Sequence, residues 1–205
     1  MKLRTLFFSI AALALFGQAE DAVPKPPKPQ VQFTTTLGSF TVELDPDAAP
    51  KTVANFLEYV ESDFYQGTTF HRVIKTFMIQ GGSPAAADGS TKTLRSPVVN
   101  EAKQASEKGL KNVRGAIAMA RTSNPDSATS QFFINVVDNV RLDYPNPDGA
   151  GYCVFGHVVE GMETVDNIRN VETAPGDRPV TAVVITSAKL LDADARRPVA
   201  ANQAQ

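Results

Sequence analysis

The stretch VQFTTTLGSFTVEL, residues 31–44, sets the architecture. Val31, Phe33 and Thr35 alternate with Gln32 and Thr34, and Leu37-Gly38-Ser39 reads as a turn. Phe40, Val42 and Leu44 then alternate with Thr41, Glu43 and Asp45. Successive strand side chains point to opposite faces. Two period-2 runs about a glycine turn therefore predict a β-hairpin with one buried face.

Downstream, Pro50 can open a helix at its first turn, where its missing N–H does no harm. Val53, Phe56, Leu57 and Val60 give that helix one apolar face at i, i+3, i+4 and i+7, with an end expected near Ser62. Further short strands are expected at 69–74, 77–80, 114–120, 131–137, 152–159 and 180–190. Gly-, Pro-, Ser- and Asn-rich loops lie at 82–97, 121–130 and 143–151. A second short helix fits 161–169, with Met162, Val165 and Ile168 at a spacing of three. Many short strands with only two helices argue for a closed barrel or a sandwich.

The 205 residues suit one domain with appendages, and an apolar share of 42% is enough for a core. A formal charge of −2 without a Lys/Arg block argues against nucleic-acid binding. Residues 1–19 carry Lys2 and Arg4, a largely apolar run from Leu6 to Phe16, and small residues at Gly17 and Ala19. This is the pattern of a cleaved signal peptide. The run is too short for a membrane anchor, which needs about 20 residues. Residues 20–30, EDAVPKPPKPQ, hold four prolines and read as an extended linker. Order is expected over 31–191, and 192–205 reads as a disordered tail. These features predict an exported protein, placed in the periplasm or else fully secreted, with no stable membrane association once the leader is removed. Cys153 is the single cysteine, so no internal disulfide can form, and it reads as a buried strand thiol.

Four stretches carry the chemistry: FHRVIKTFMIQGG (70–82), RGAIAMARTS (114–123), SATSQFFIN (127–135) and VFGHVVEGMETVDNI (154–168). His71 and His157 are far apart and there is no Cys pair, so a metal site is a poor reading. No Gly-x-Ser-x-Gly elbow, Walker loop or dinucleotide fingerprint occurs. Residues 70–82, 114–123 and 129–135 contain no Asp or Glu, which disfavours glycosidase chemistry. An Arg and amide side chains beside Phe, Met and Leu remain. That set suits binding and polarising a neutral amide without breaking a bond.

In order and spacing, these four blocks resemble the signature blocks of cyclophilins, most closely the bacterial periplasmic subgroup. The resemblance covers about Val31 to Leu191. It implies a mainly β fold, a closed eight-stranded antiparallel barrel capped by two α-helices. It also implies peptidyl-prolyl cis/trans isomerase activity without cofactor or metal. The partners would be proline-containing segments of unfolded or folding exported proteins, and the chain would act as a monomer. By the same resemblance Arg72 is the catalytic hydrogen-bond donor, His71 stands at the pocket edge, and Gln80 orients the Arg and contacts substrate. Phe77, Met78, Phe133 and Leu142 grip the proline ring. Ala120 and Arg121 bind the residue before proline through their backbone, and Gln131 lines the adjoining groove. Taken singly, the apolar members would be read as core and a lone Arg as a surface charge. His157 matches no family role and reads as surface.

The chain departs from the family pattern at several points. It has no Trp, and Arg141 precedes Leu142 where cyclosporin-sensitive members carry Trp, which predicts weak cyclosporin binding. Arg121 replaces a frequent Asn, Tyr152 a frequent His at the rim, and Lys75-Thr76 a Pro-Gly turn. These changes bear on specificity. Two other functions compete with catalysis. One is a proline-peptide-binding chaperone or scaffold with little turnover, which a degraded pocket would favour. The other is an unrelated all-β hydrolase or carbohydrate binder, which needs carboxylates or aromatic platforms that the sequence does not clearly offer.

Overall fold

A computed structural model describes residues 27–191. The expected signal peptide, most of the expected Pro-rich linker and the expected C-terminal tail lie outside the described residues. The first hairpin forms as β1 (Gln30–Thr35) and β2 (Gly38–Leu44), with Val31 opposite Val42 and Phe33 opposite Phe40. Its turn falls at Thr36-Leu37, slightly before the expected position. The hydroxyl of Thr35 holds it by donating to Gly38 O (2.8 Å) and accepting from Leu37 N (3.1 Å).

The chain continues through α1 (Pro50–Glu61), β3 (Arg72–Ile74), β4 (Met78–Gly81), α2 (Ala102–Glu107), β5 (Ala116–Met119), β6 (Phe132–Asn135), β7 (Val154–Glu160) and α3 (Met162–Arg169). It ends with β8 (Thr173–Ala174), β9 (Arg178–Pro179) and β10 (Ile185–Leu191). Eight strands make one antiparallel sheet in the order β10-β1-β2-β7-β5-β6-β4-β3, and β8 with β9 form a separate small hairpin.

The expected closed barrel is corrected to a curled sheet whose strand ladder does not close. Among the described residues no ladder joins β3 to β10. The residues before β3 leave the strand path and meet the approach to β10 through an isolated bridge, Thr69 with Val184. Phe70 N donates to Val183 O, and Ile185 N to Thr68 O. Both expected helices are present. The third, α2, spans only six residues, too few for a periodic apolar pattern to register.

Strand alternation divides the side chains of β4, β5 and β6 between two apolar clusters. Ile79, Ile117, Met119, Phe132 and Ile134 join the main core with Phe33, Phe40, Phe56, Tyr65 and Phe155. That core is aromatic at its centre: Phe33 and Phe40 stack at 5.1 Å, and Phe132 meets Tyr65 edge-on at 5.5 Å. On the opposite face, Met78, Ala116, Ala118, Phe133, Leu142 and Val154 form a second, smaller cluster. The two alanines leave a depression there that larger residues would fill.

Helix α1 buries Val53, Phe56, Tyr59 and Val60 against the main core, with Leu57 half-buried beside them. Its N-cap residue, Ala49, cannot cap with its side chain. The carboxylate of Glu101, 7% exposed, does so from a distant loop. It accepts from Lys51 N (3.1 Å), Thr52 N (2.8 Å) and Thr52 Oγ1 (2.8 Å). A buried anion at a helix N-terminus satisfies free N–H groups and complements the helix dipole. Glu101→Ala should therefore lower the unfolding free energy by about 3 kcal/mol, with an unchanged urea m-value. Glu101→Gln, which retains acceptor atoms, should cost less. Urea denaturation of the three proteins checks the order.

Candidate active site

The depression on the outer face of β4, β5 and β6 opens into a cleft of about 140 Å³. It is lined by Arg72, Phe77, Met78, Gln80, Ala120, Arg121, Phe133, Leu142 and Tyr152. The strand register explains the assembly. Phe133 pairs with Ala118 on one side and Gln80 on the other, and Gln80 in turn pairs with Arg72. A ring flanked by a small residue and two long polar ones makes an apolar cup with a polar rim.

Met78, Phe133 and Leu142 are buried, while Phe77 is partly exposed at the mouth. The ring of Tyr152 stands edge-on to Phe133 at 5.8 Å. Leu142 lies in a short 3-10 turn, Val140–Leu142, held from behind by a chain of asparagines. Asn139 Nδ2 donates to Phe77 O (2.8 Å) and Asn135 Oδ1 (2.7 Å). Asn135 Nδ2 donates to Asn112 Oδ1 (3.2 Å), and Asn112 Nδ2 to Asp143 Oδ1 (3.0 Å).

Arg72 begins β3, and its side chain is 43% exposed. Its Nε donates to Asp177 Oδ2 at 3.2 Å, and its Nη atoms have no hydrogen-bond partner among the described residues. Gln80 Nε2 donates to Gln131 Oε1 at 2.9 Å. Gln131 lines an adjoining groove with Gln80, Ala120, Arg121, Thr122 and Thr129.

Residues 30–190 match the family described as cyclophilin type peptidyl-prolyl cis-trans isomerase/CLD. The chain belongs to this family. It is 50% identical to peptidyl-prolyl cis-trans isomerase A of Dickeya dadantii over 165 residues, covering 78% of this chain and 84% of that protein. Identity to peptidyl-prolyl cis-trans isomerase B of Escherichia coli is 48% over 165 residues, covering 77% of this chain and 96% of the relative. A Cryptosporidium parvum cyclophilin, crystallised in the presence of the dipeptide Ala-Pro, superposes with a TM-score of 0.66 at 27% identity. That alignment covers 80% of this chain and 99% of the other. The chain thus carries a peptidyl-prolyl cis-trans isomerase domain and is an isomerase of that type.

In this cyclophilin His71 stands apart from the cleft. It lines a neighbouring hollow with Thr69, Phe70, Arg178, Pro179 and Ala182. Burial, with the nearby Arg178 and Arg72, holds its pKa below the usual value against the opposing hydrogen bonds of Thr69 and Gln131. The ring is therefore neutral at pH 7. His157 is exposed on β7, as the sequence suggests.

Arg121 has a different setting from a free groove-lining side chain. Its guanidinium, 3% exposed, stacks 4.4 Å from the Tyr152 ring centroid. It also donates to Gly151 O, Thr122 O and both carboxylate oxygens of Asp148. This ties the 143–151 loop to the cleft wall. The hydrogen bond from Arg121 also holds the Asp148 carboxyl below the usual range. Arg141, which precedes the cleft residue Leu142, lies over the Phe77 ring at 5.1 Å in a cation–π contact.

Sequence reading missed the Asp177 partner of Arg72 and the asparagine chain. Asp177 is 105 positions from Arg72, and asparagines between strands read as loop residues. The GD pair of 176–177 was the one local signal, since it marks a turn. Among the described residues, no group of three His, Cys, Asp or Glu side chains could hold a metal.

Cys153 is 4% exposed, with Sγ 3.5 Å from Thr52 Oγ1. Burial pushes its thiol up to about 12. The neutral form persists below that pH, so Cys153 should resist a thiol-specific disulfide reagent at about pH 8 in the native protein. It should react fully in denaturant. Absorbance of the released thiolate measures both.

Proposed function

We propose that this cyclophilin accelerates rotation about X-Pro bonds through Arg72, and that its clients are proteins folding after export. The observation that carries the mechanism is the placement of the Arg72 guanidinium at the rim of the apolar cup formed by Phe77, Met78, Phe133 and Leu142. Rotation about an amide must overcome a resonance barrier of about 18–20 kcal/mol. Uncatalysed exchange takes about 10–100 s at 25 °C.

No covalent bond breaks in this reaction. In the twisted amide, conjugation is lost and the proline nitrogen becomes pyramidal and basic. A guanidinium N–H directed at that nitrogen has little to bond in either planar form, where the lone pair is delocalised. It stabilises the twisted state selectively, which is the requirement for catalysis. The cup holds the proline ring while the residue before it turns, with the backbone at Ala120 and Arg121 binding that residue. Gln80 and Gln131, joined by a hydrogen bond, line the adjoining groove. A neutral His71 outside the cleft is a poor general acid, and the reaction needs none.

Export is supported by the signal-peptide pattern of residues 1–19. No described helix is long and apolar enough to cross a membrane. A periplasmic location and a monomeric state complete the reading.

NMR exchange spectroscopy on a short Ala-Pro peptide, with catalytic amounts of residues 20–205, tests the proposal. The wild type should collapse the cis/trans exchange time from many seconds to a fraction of a second. Arg72→Ala should lose about 100-fold or more of that acceleration. A folded wild type that binds the peptide without accelerating exchange would make the domain a proline-peptide binder.

A further inference from the structure

We propose that Asp177 is the positioning residue for Arg72, delivered to it by the β8–β9 hairpin. The inference rests on the role given to Arg72 above. β3 is the end strand of the sheet, and the small hairpin packs against its free edge. Thr173 pairs with Pro179 and Ala174 with Arg178, so Pro175, Gly176 and Asp177 form the tip. Gly176 has φ +84° and Asp177 has φ +62°. Asp is among the few side-chain-bearing residues that accept the left-handed region.

Two contacts fix the tip to β3. Val73 N donates to Asp177 O at 2.8 Å, and Arg72 Nε donates to Asp177 Oδ2 at 3.2 Å. The backbone bond sets the position of Asp177, and the side-chain bond sets the direction of Arg72. Both come from one residue to two consecutive positions of the same strand.

Holding a guanidinium by Nε is different from holding it by its tips. The planar group carries five N–H donors in a fixed fork. Bonding at Nε restricts rotation of the side chain and leaves the four Nη–H donors for a substrate. Gln80 lies opposite Arg72 in the β3–β4 register but gives its amide to Gln131. Among the described residues, Asp177 is the one side chain hydrogen-bonded to the Arg72 guanidinium.

As a stabilising contact this ion pair counts for little. Both side chains are 43% exposed, and exposed pairs contribute weakly to folding. For a reaction that depends on direction, pre-ordering one long, flexible side chain matters more. Losing Asp177 should reduce turnover without reducing peptide affinity, since the cup and groove do not include it.

The test compares Asp177→Gly, Asp177→Asn, Arg72→Ala and the double variant Arg72→Ala/Asp177→Gly by NMR exchange on the Ala-Pro peptide. Glycine removes the carboxylate without straining the positive φ, and asparagine keeps an acceptor oxygen in the same place. Asp177→Gly should lower kcat about tenfold with KM changed by less than about twofold. Asp177→Asn should recover most of that loss. Adding Asp177→Gly to Arg72→Ala should change nothing further, because the group it orients is gone. Wild-type activity in Asp177→Gly, with Arg72→Ala inactive, would overturn the positioning role alone. An equal loss from Asp177→Gly in both backgrounds would make the hairpin merely structural. Full activity in Arg72→Ala would instead overturn the mechanism on which the inference rests.

Discussion

Phe132 and Phe133 are consecutive residues on opposite faces of β6, and the molecule is built across that division. Phe132 is fully buried among Phe33, Phe56, Tyr65 and Phe70, which anchors the strand in the aromatic core. Anchoring one side chain fixes the register of the strand, and a slip of one residue would exchange the two faces. With the register fixed, Phe133 must face outward beside Ala118 and Gln80. The floor of the cleft is thus a consequence of core packing. Close packing on one face provides a rigid base for the small, open cluster on the other.

Much of this arrangement was legible in the sequence. Period-2 alternation over 31–44 placed the first hairpin within a residue or two, and the apolar face of α1 was complete except for Tyr59. The buried state of Cys153 and the exposed state of His157 also followed from their surroundings. Eight of the ten residues singled out for the site line one cleft; His71 and Gln131 line the hollows next to it. The closed barrel was not found, because closure depends on whether the terminal strands meet in ladder register. Here the chain turns over 62–67, before β3 begins, and only the isolated bridge of Thr69 with Val184 spans the gap.

The unread part consists of contacts between residues remote in sequence. Glu101 caps α1 from 49 and 50 residues away, while its own helix has no side-chain cap. Asp177 reaches Arg72 across most of the domain. The guanidinium of Arg121, whose backbone alone the sequence reading assigns to the residue before proline, holds the 143–151 loop through Asp148 and Gly151. Local pattern reports which residue types are present and which face they occupy. It does not report which partner a long polar side chain selects once the fold has closed around it.

These contacts share one consequence for function. The apolar cup, the loops beside it and the Arg72 side chain are each held by hydrogen bonds that exist before any substrate arrives. Catalysis of a rotation has no bond-breaking step to assist, so the order of the site itself must supply selectivity for the twisted amide. The most direct measurement is the affinity of the wild type and of Arg72→Ala for an Ala-Pro peptide by NMR titration, set beside their catalysed exchange rates. The account predicts that Kd changes by less than about threefold while the rate falls about 100-fold or more, the pattern of a contact made only in the transition state. A Kd that weakens in proportion to the rate would contradict it, and would reduce Arg72 to a residue that binds the peptide in every state alike.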